Sequence, residues 1–196
     1  MNFSKYIPEK AVPLILLLID TYTINLKIVN ERQTKHGDFK RLPNGELQIT
    51  VNNNLNPYQF LLTLIHEIAH QVAYLTYGKI KPHGKEWKQT FQHLILPFLT
   101  PEIYPDAILK PLANYLKNPK ASTGSDVNLT LALKGNSAVK GKSFIFDLPL
   151  GDIFIFKGML YKKGIKRRTR YECLQIKTNK TYLFNQNAEV KMMTHE

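Results

Sequence analysis

Residues Thr63 to Trp87 read TLIHEIAHQVAYLTYGKIKPHGKEW, and within them His66, Glu67 and His70 stand in the order H-E-x-x-H. On an α-helix, residues four apart are rotated by about 40° and separated by roughly 6 Å along the axis, so His66 and His70 leave one face with their imidazoles converging. That is how a helix grips a zinc ion. Glu67, next to the first ligand, can reach a water on the metal and take a proton from it. The spacing therefore points to metal-assisted hydrolysis, and at this His and Glu content it would arise by chance only roughly 0.01 times per chain. Leu61, Leu64, Ile65, Ile68, Val72 and Leu75 recur around the motif at helical period, leaving Thr63, His66 and His70 on the other face.

The ends of this helix are legible. Asn56 reads as the N-cap, Pro57 as the first helical residue, Gln59 as the capping-box partner and Gly78 as the terminator. A catalytic zinc keeps three protein ligands and one open position, and the nearest third donors are His83 and Glu86. His83 follows Gly78 and Pro82 at the start of a second helix that runs to Leu96, with Trp87, Phe91, Leu94 and Ile95 apolar and Pro97 closing it.

At this point the sequence resembles the SprT-like family of zinc metallopeptidases, which includes the Spartan-type proteases that degrade proteins crosslinked to DNA. The family's mark is an H-E-x-x-H helix followed by a third histidine in a His-Gly-x-x-aromatic motif, matched by His83, Gly84 and Trp87. The resemblance implies that His66, His70 and His83 hold one Zn2+ and that Glu67 is the catalytic acid and base. Glu86 then becomes a neighbour of the site rather than a ligand. His93 reads as a surface or core histidine, and His36 and His195 are assigned nothing. Tyr74 and Tyr77 lie further along the first helix, where an oxyanion could be steadied, and are not counted as catalytic. The expected fold is α+β: a zincin-like metalloprotease domain, with active-site helices against a small sheet, followed by a small β-rich C-terminal domain.

Length and charge bound the rest. A chain of 196 residues supports one domain of usual size with an appendage, or two small domains. The formal net charge of +12 is uneven: residues 1–116 carry 12 Lys+Arg against 9 Asp+Glu, and residues 117–196 carry 15 against 6. Cys173 is the single cysteine, which excludes an intrachain disulfide and the cysteine-rich zinc ribbon that many family members carry. The apolar run Val12 to Ile19 is too short to span a bilayer, is interrupted by Pro13 and precedes no small-residue cleavage site. It reads as part of a buried helix from Pro8 to Tyr22, and the expectation is a cytoplasmic protein with no membrane partner.

In chain order, Thr23 to Val29 reads as a strand, residues 30–46 as polar connection, and Leu47 to Val51 as a half-buried strand after the Pro43-Asn44-Gly45 turn. Leu47 to Asn52 is the expected edge strand for extended substrate. Pro105 to Leu116 reads as a short helix that bends near Pro111. The stretch NPKASTGSD sets the domains: 1–117 for the metalloprotease domain, 118–126 as linker, and 127–196 for the basic β-rich domain. The last contains short β-like runs at Val127–Leu133, Ser143–Asp147, Asp152–Phe156, Met159–Ile165, Arg168–Ile176, Thr181–Phe184 and Ala188–Met192.

Lys157, Lys162, Lys163, Lys166, Arg167, Arg168 and Arg170 cluster in one segment with no acidic residue between them, interleaved with Tyr161 and nearby Tyr171. Such a cluster can line phosphates while rings stack on bases, so DNA, single-stranded in preference, is an expected partner beside a protein or peptide substrate. The expected function is a zinc-dependent endopeptidase acting on DNA-associated or DNA-crosslinked proteins. Two alternatives stand beside it: a nucleic-acid-binding protein with a structural zinc site, and a zinc amidase or peptidase unrelated to DNA.

Overall fold

The computed structural model describes residues 3–32, 34–121, 126–135 and 142–193. It divides into two compact units, residues 1–121 and 122–196, with the division inside the NPKASTGSD stretch. His195 lies outside the described residues.

In the first unit, a turn of 3-10 helix at Glu9–Ala11 leads into α1 (Val12–Thr21). A three-stranded sheet follows, made of β1 (Leu26–Val29), β2 (Gly37–Arg41) and β3 (Leu47–Asn52) in the spatial order β1-β3-β2. β1 runs parallel to β3, and β2 runs antiparallel to it. Ile49 and Val51 of β3 are fully buried, as the alternation of that strand requires. The position of β3 differs from expectation. It is the central strand, so both of its edges are already consumed in pairing and it cannot add an extended substrate. The edge strands are β1 and β2, and β2, the one against α2, falls in the stretch read as polar connection because Gly37-Asp38-Phe39-Lys40-Arg41 shows no apolar alternation. Asn52 N–H donates to the carbonyl of His36, so even-numbered residues here face β3 and the main-chain groups of Gly37, Phe39 and Arg41 face outward.

α2 (Pro57–Tyr77) packs against β2 and β3 on one side and α3 (Lys85–Ile95) on the other. Its start is capped as expected: the Asn56 side chain accepts from Gln59 N–H at 3.0 Å, with Pro57 at the first helical position. Its end is at Gly78, with φ of 72°. Phe60, Leu61, Leu64, Ile65, Ile68 and Ala69 are wholly buried, whereas Leu75 is left exposed near the end. α4 (Asp106–Leu116) starts after Pro105, contains Pro111, and buries Ile108, Leu112, Tyr115 and Leu116.

The second unit opens with a correction. Val127–Leu133, expected as a strand from its alternating VNLTLAL pattern, is the helix α5 (Val127–Lys134). Local capping outweighs the alternation. The Asp126 side chain accepts from Leu129 N–H at 3.0 Å, Gly135 ends the helix at φ of 66°, and Leu129 and Leu133, four apart, are buried. The sheet comprises β4 (Lys142–Phe144), β5 (Ile153–Phe156), β6 (Met159–Arg167), β7 (Arg170–Gln175), β8 (Lys180–Asn185) and β9 (Glu189–Met192). They are ordered β4-β9-β5-β6-β7-β8, antiparallel throughout. Its core is Ile145, Leu148, Phe154, Tyr161, Cys173, Phe184 and Val190. The architecture is thus α+β with two separate sheets.

Trp87, the only tryptophan, sits in the first unit and reports on that unit alone. Truncating Ile49 on the central strand removes a fully buried side chain, so Ile49→Ala should destabilise the Trp87-monitored urea transition by about 3 kcal/mol. A change below about 1 kcal/mol would contradict a packed β3–α2 interface.

Candidate metal centre

α2 delivers His66 and His70 from one partly exposed stripe, as the four-residue spacing demands. The third imidazole arrives by a turn rather than a helix. His83 has φ of 57°, in the left-handed region, and Gly84 N–H closes the turn on the Lys81 carbonyl at 2.9 Å. A Cβ on Gly84 would stand 2.9 Å from that same oxygen, so the position after His83 has no room for a side chain. The His-Gly pair is therefore a geometric unit: the histidine takes the unusual backbone conformation and the glycine lets the turn close.

The three Nε2 atoms form a triangle with sides of 3.2 Å (His66–His83), 3.3 Å (His66–His70) and 3.0 Å (His70–His83). Four ligands at about 2.0–2.1 Å around a tetrahedral ion stand about 3.3 Å apart, so the triangle has the size of a three-nitrogen metal face. A neutral imidazole has one N–H, and three nitrogens facing one another cannot all be satisfied by mutual hydrogen bonds; a shared cation answers all three lone pairs. Among the described residues these are the three His, Cys, Asp or Glu side chains that converge closely enough to hold a metal ion. Glu86 is not among them; it lies in the first turn of α3.

Trp87 forms the floor. Its ring stacks on His70 at 5.1 Å, lies 4.6 Å from His66 and 4.7 Å from His83, and is backed by Phe91 at 5.1 Å. This apolar base strips water from the imidazoles. Burial, reinforced by the neighbouring histidines, lowers the pKa of His66 to about 3 and of His70 to about 4, and burial lowers that of His83. All three are neutral at pH 7, which is the form that binds metal.

Glu67, about 60° around α2 from His70, points against β2. A Cβ on Gly37 would stand 2.6 Å from Glu67 Oε1, so the glycine there is the space into which the carboxylate fits. Burial raises the Glu67 pKa to about 8, helped by Asp38 and opposed by Arg32, Lys35 and a hydrogen bond from the Phe39 backbone N–H. Arg32 is itself held on β3, its Nε donating to Asn52 Oδ1 at 2.8 Å and its Nη1 to Thr50 Oγ1 at 2.9 Å. Sequence reasoning missed Arg32 and Gly37 because their relation to Glu67 depends on β2, whose pairing no periodicity announces.

The other singled-out residues fall elsewhere. His93 and His36 are exposed, Tyr77 is exposed, and Tyr74 packs its ring 6.0 Å from Phe39. The basic segment Lys157–Arg170 lies on β6, at its turns and at the start of β7. Lys162, Lys166, Arg168 and Arg170 are exposed there, and Lys157 lies over the Phe156 ring. Arg167 donates through Nε to the Glu172 carboxylate at 2.9 Å. Lys163 is buried, with Nζ donating to the carbonyls of Phe146 and Leu148 and lying 4.3 Å above the Tyr171 ring. Tyr161 is buried in the sheet core. The expected phosphate-and-stacking arrangement is thereby reduced: Lys163 serves loop carbonyls, and Tyr161 offers no face to a base.

Comparison with known proteins adds a family match over part of the chain. Residues 21–99 match the SprT-like family. The SprT-like segment contains all three histidines, Glu67 and Trp87. The chain is 53% identical over 34 residues to Protein SprT of Vibrio parahaemolyticus, covering 17% of this chain and 21% of that protein. It is 45% identical over 38 residues to Protein SprT of Pasteurella multocida, covering 19% and 22%. Protein SprT of Actinobacillus succinogenes is 47% identical over 34 residues, covering 17% and 20%. The matched stretches thus span about a fifth of the length of these curated relatives. No helix among the described residues is long and apolar enough to cross a membrane.

The pKa shifts carry a signed consequence for the metal-free protein. Between the ordinary Glu value of 4.5 and about 8, the folded chain keeps the Glu67 proton that the unfolded chain has released, so this group's contribution to stability falls as pH rises. His66 and His70 act oppositely, since the unfolded chain binds their protons first and stability falls as pH drops below 6.5. Glu67→Gln abolishes only the first effect. In metal-free protein, the melting temperature of Glu67→Gln minus that of wild type should increase from about pH 5 to about pH 9; a difference independent of pH would contradict a buried, neutral Glu67.

Proposed function

We propose that the chain is a zinc-dependent endopeptidase acting on DNA-associated or DNA-crosslinked proteins, with one Zn2+ held by His66, His70 and His83. The observation that carries the reading is the Nε2 triangle of 3.0–3.3 Å standing one residue from a buried glutamate on the same helix. A structural site would have no use for Glu67. When bound, zinc supplies a Lewis acid that polarises a carbonyl and brings the pKa of a water towards neutrality.

The chain's own residues do the rest. Glu67 accepts a proton from the attacking water and returns it to the leaving amine, a role that needs its carboxylate form, which a bound cation nearby favours over the neutral form it holds in the metal-free protein. The Gly37–Phe39 backbone and Arg32 fix where that carboxylate can lie. The outward main-chain groups of β2 that Glu67 does not take offer an extended peptide a strand to pair with, beside α2. Trp87 and Phe91 keep the floor dry and the imidazoles in place. The cytoplasm is the proposed location. The DNA-associated class of substrate rests on the SprT-like match together with the basic balance of the chain.

Glu67→Gln should retain one zinc per chain by metal analysis while losing at least about a thousandfold in cleavage of a DNA-binding protein substrate, as removal of an acid–base group at the reacting water implies. Cleavage that persists in this variant would remove Glu67 from the base role.

A further inference from the structure

Beside the metal centre, on the outer face of α3, is a cavity of about 580 Å³ bordered by His83 and Gly84. The rest of its lining is Lys81, Lys85, Lys88, Gln89, Gln92 and Lys117. Among the described residues, no carboxylate and no apolar side chain contributes to it. Glu86 is close by, its Oε2 3.4 Å from where a Cβ on Gly84 would stand, yet it is not part of the lining. Residues 1–121 carry 14 Lys+Arg against 9 Asp+Glu, an excess of 5, and four of the lysines gather here.

None of the four lysines is ion-paired among the described residues. Lys88 Nζ donates to the neutral Asn118 Oδ1 at 2.6 Å, and Gln92 Nε2 to the Leu116 carbonyl at 2.6 Å, which ties the far wall to the end of α4. Four unneutralised ammonium groups around one concavity repel one another, and their attraction for an anion is correspondingly large. Glu86 in the first turn of α3 offsets the positive end of that helix, so the field of the cavity comes from the lysines.

We propose that this cavity binds the phosphodiester backbone of a single-stranded nucleic acid, immediately beside His83. The inference rests on the proposed action on DNA-associated proteins and moves the nucleic-acid contact onto the metal-bearing unit. A phosphodiester chain is anionic at every residue and needs only cations and amide donors, which is what the lining offers. A peptide would need apolar pockets or a strand edge for the rest of its chain, and neither is present in this lining. The lining has no aromatic ring to stack a base, so binding here is indifferent to sequence. A strand held in the cavity would keep attached protein within reach of the cleft, coupling the nucleic acid to the substrate by effective concentration.

The test is fluorescence anisotropy of labelled dT20 against the full zinc-loaded chain, comparing wild type with Lys81→Gln/Lys85→Gln/Lys88→Gln and with Lys162→Gln/Lys166→Gln/Arg170→Gln in the second unit. The first triple variant should bind at least about tenfold more weakly near 0.1 M salt, with the slope of log K against log salt shallower by about 2. Zinc content verifies its fold, and single Lys85→Gln and Lys88→Gln variants, each expected to weaken binding by about threefold, keep the test readable if the triple variant loses its ion. Unchanged binding in the first triple variant overturns the site, as does loss confined to the second-unit variant. Competition by oligoglutamate as potent as by unlabelled dT20 would reassign the cavity to acidic peptides and equally overturn it. Failure is distinguishable from failure of the protease reading: lysine-dependent dT20 binding without zinc-dependent cleavage supports the cavity alone, and cleavage without lysine-dependent binding supports the protease alone.

Discussion

The first unit depends on holding three imidazole nitrogens about 3 Å apart with their lone pairs facing one point. Without a cation such an arrangement is unfavourable, since the groups lose water and gain no partner. The fold supplies the restraint. A capped, buried α2 sets two rings on one stripe, a left-handed residue followed by a side-chain-free position sets the third, and Trp87 backed by Phe91 prevents the rings from turning away. The same burial that strips the rings of water keeps them deprotonated at neutral pH, so the centre is ready for metal without expelling protons.

The acid–base residue of α2 stands at the border of its metal face. Glu67 is adjacent in sequence to His66 but turned towards β2, where Gly37 makes room and the Phe39 N–H, Arg32 and Lys35 set its electrostatic surroundings. That explains why a strand with a plain, polar sequence is essential to the site. It provides the wall for the carboxylate and an edge of the sheet at once.

The sequence made the motif legible because its determinants are local: the i,i+4 histidines, Asn56 and Pro57 at one helix end, Gly78 at the other, and the His83-Gly84-x-x-Trp87 turn. What it concealed depends on pairing over distance. The central place of β3 follows from β1 and β2 flanking it, and no pattern within Leu47–Asn52 distinguishes a central strand from an edge strand. Val127–Leu133 misled because a short VNLTLAL run satisfies a strand period and a helix period alike, and the caps at Asp126 and Gly135 decide between them. Charge was equally deceptive in the second unit. Lys163 reads as one more surface cation, yet the alternation of β6 turns it inward onto the carbonyls of Phe146 and Leu148, while Arg167 is answered by Glu172 across the hairpin.

The central claim is that His66, His70 and His83 together form one metal centre, and X-ray absorption at the zinc edge of the zinc-loaded full chain tests it most directly. A nitrogen and oxygen shell at about 2.0 Å with outer-shell scattering from three imidazoles is expected. A sulfur shell at about 2.3 Å, or an oxygen shell without imidazole scattering, would contradict it.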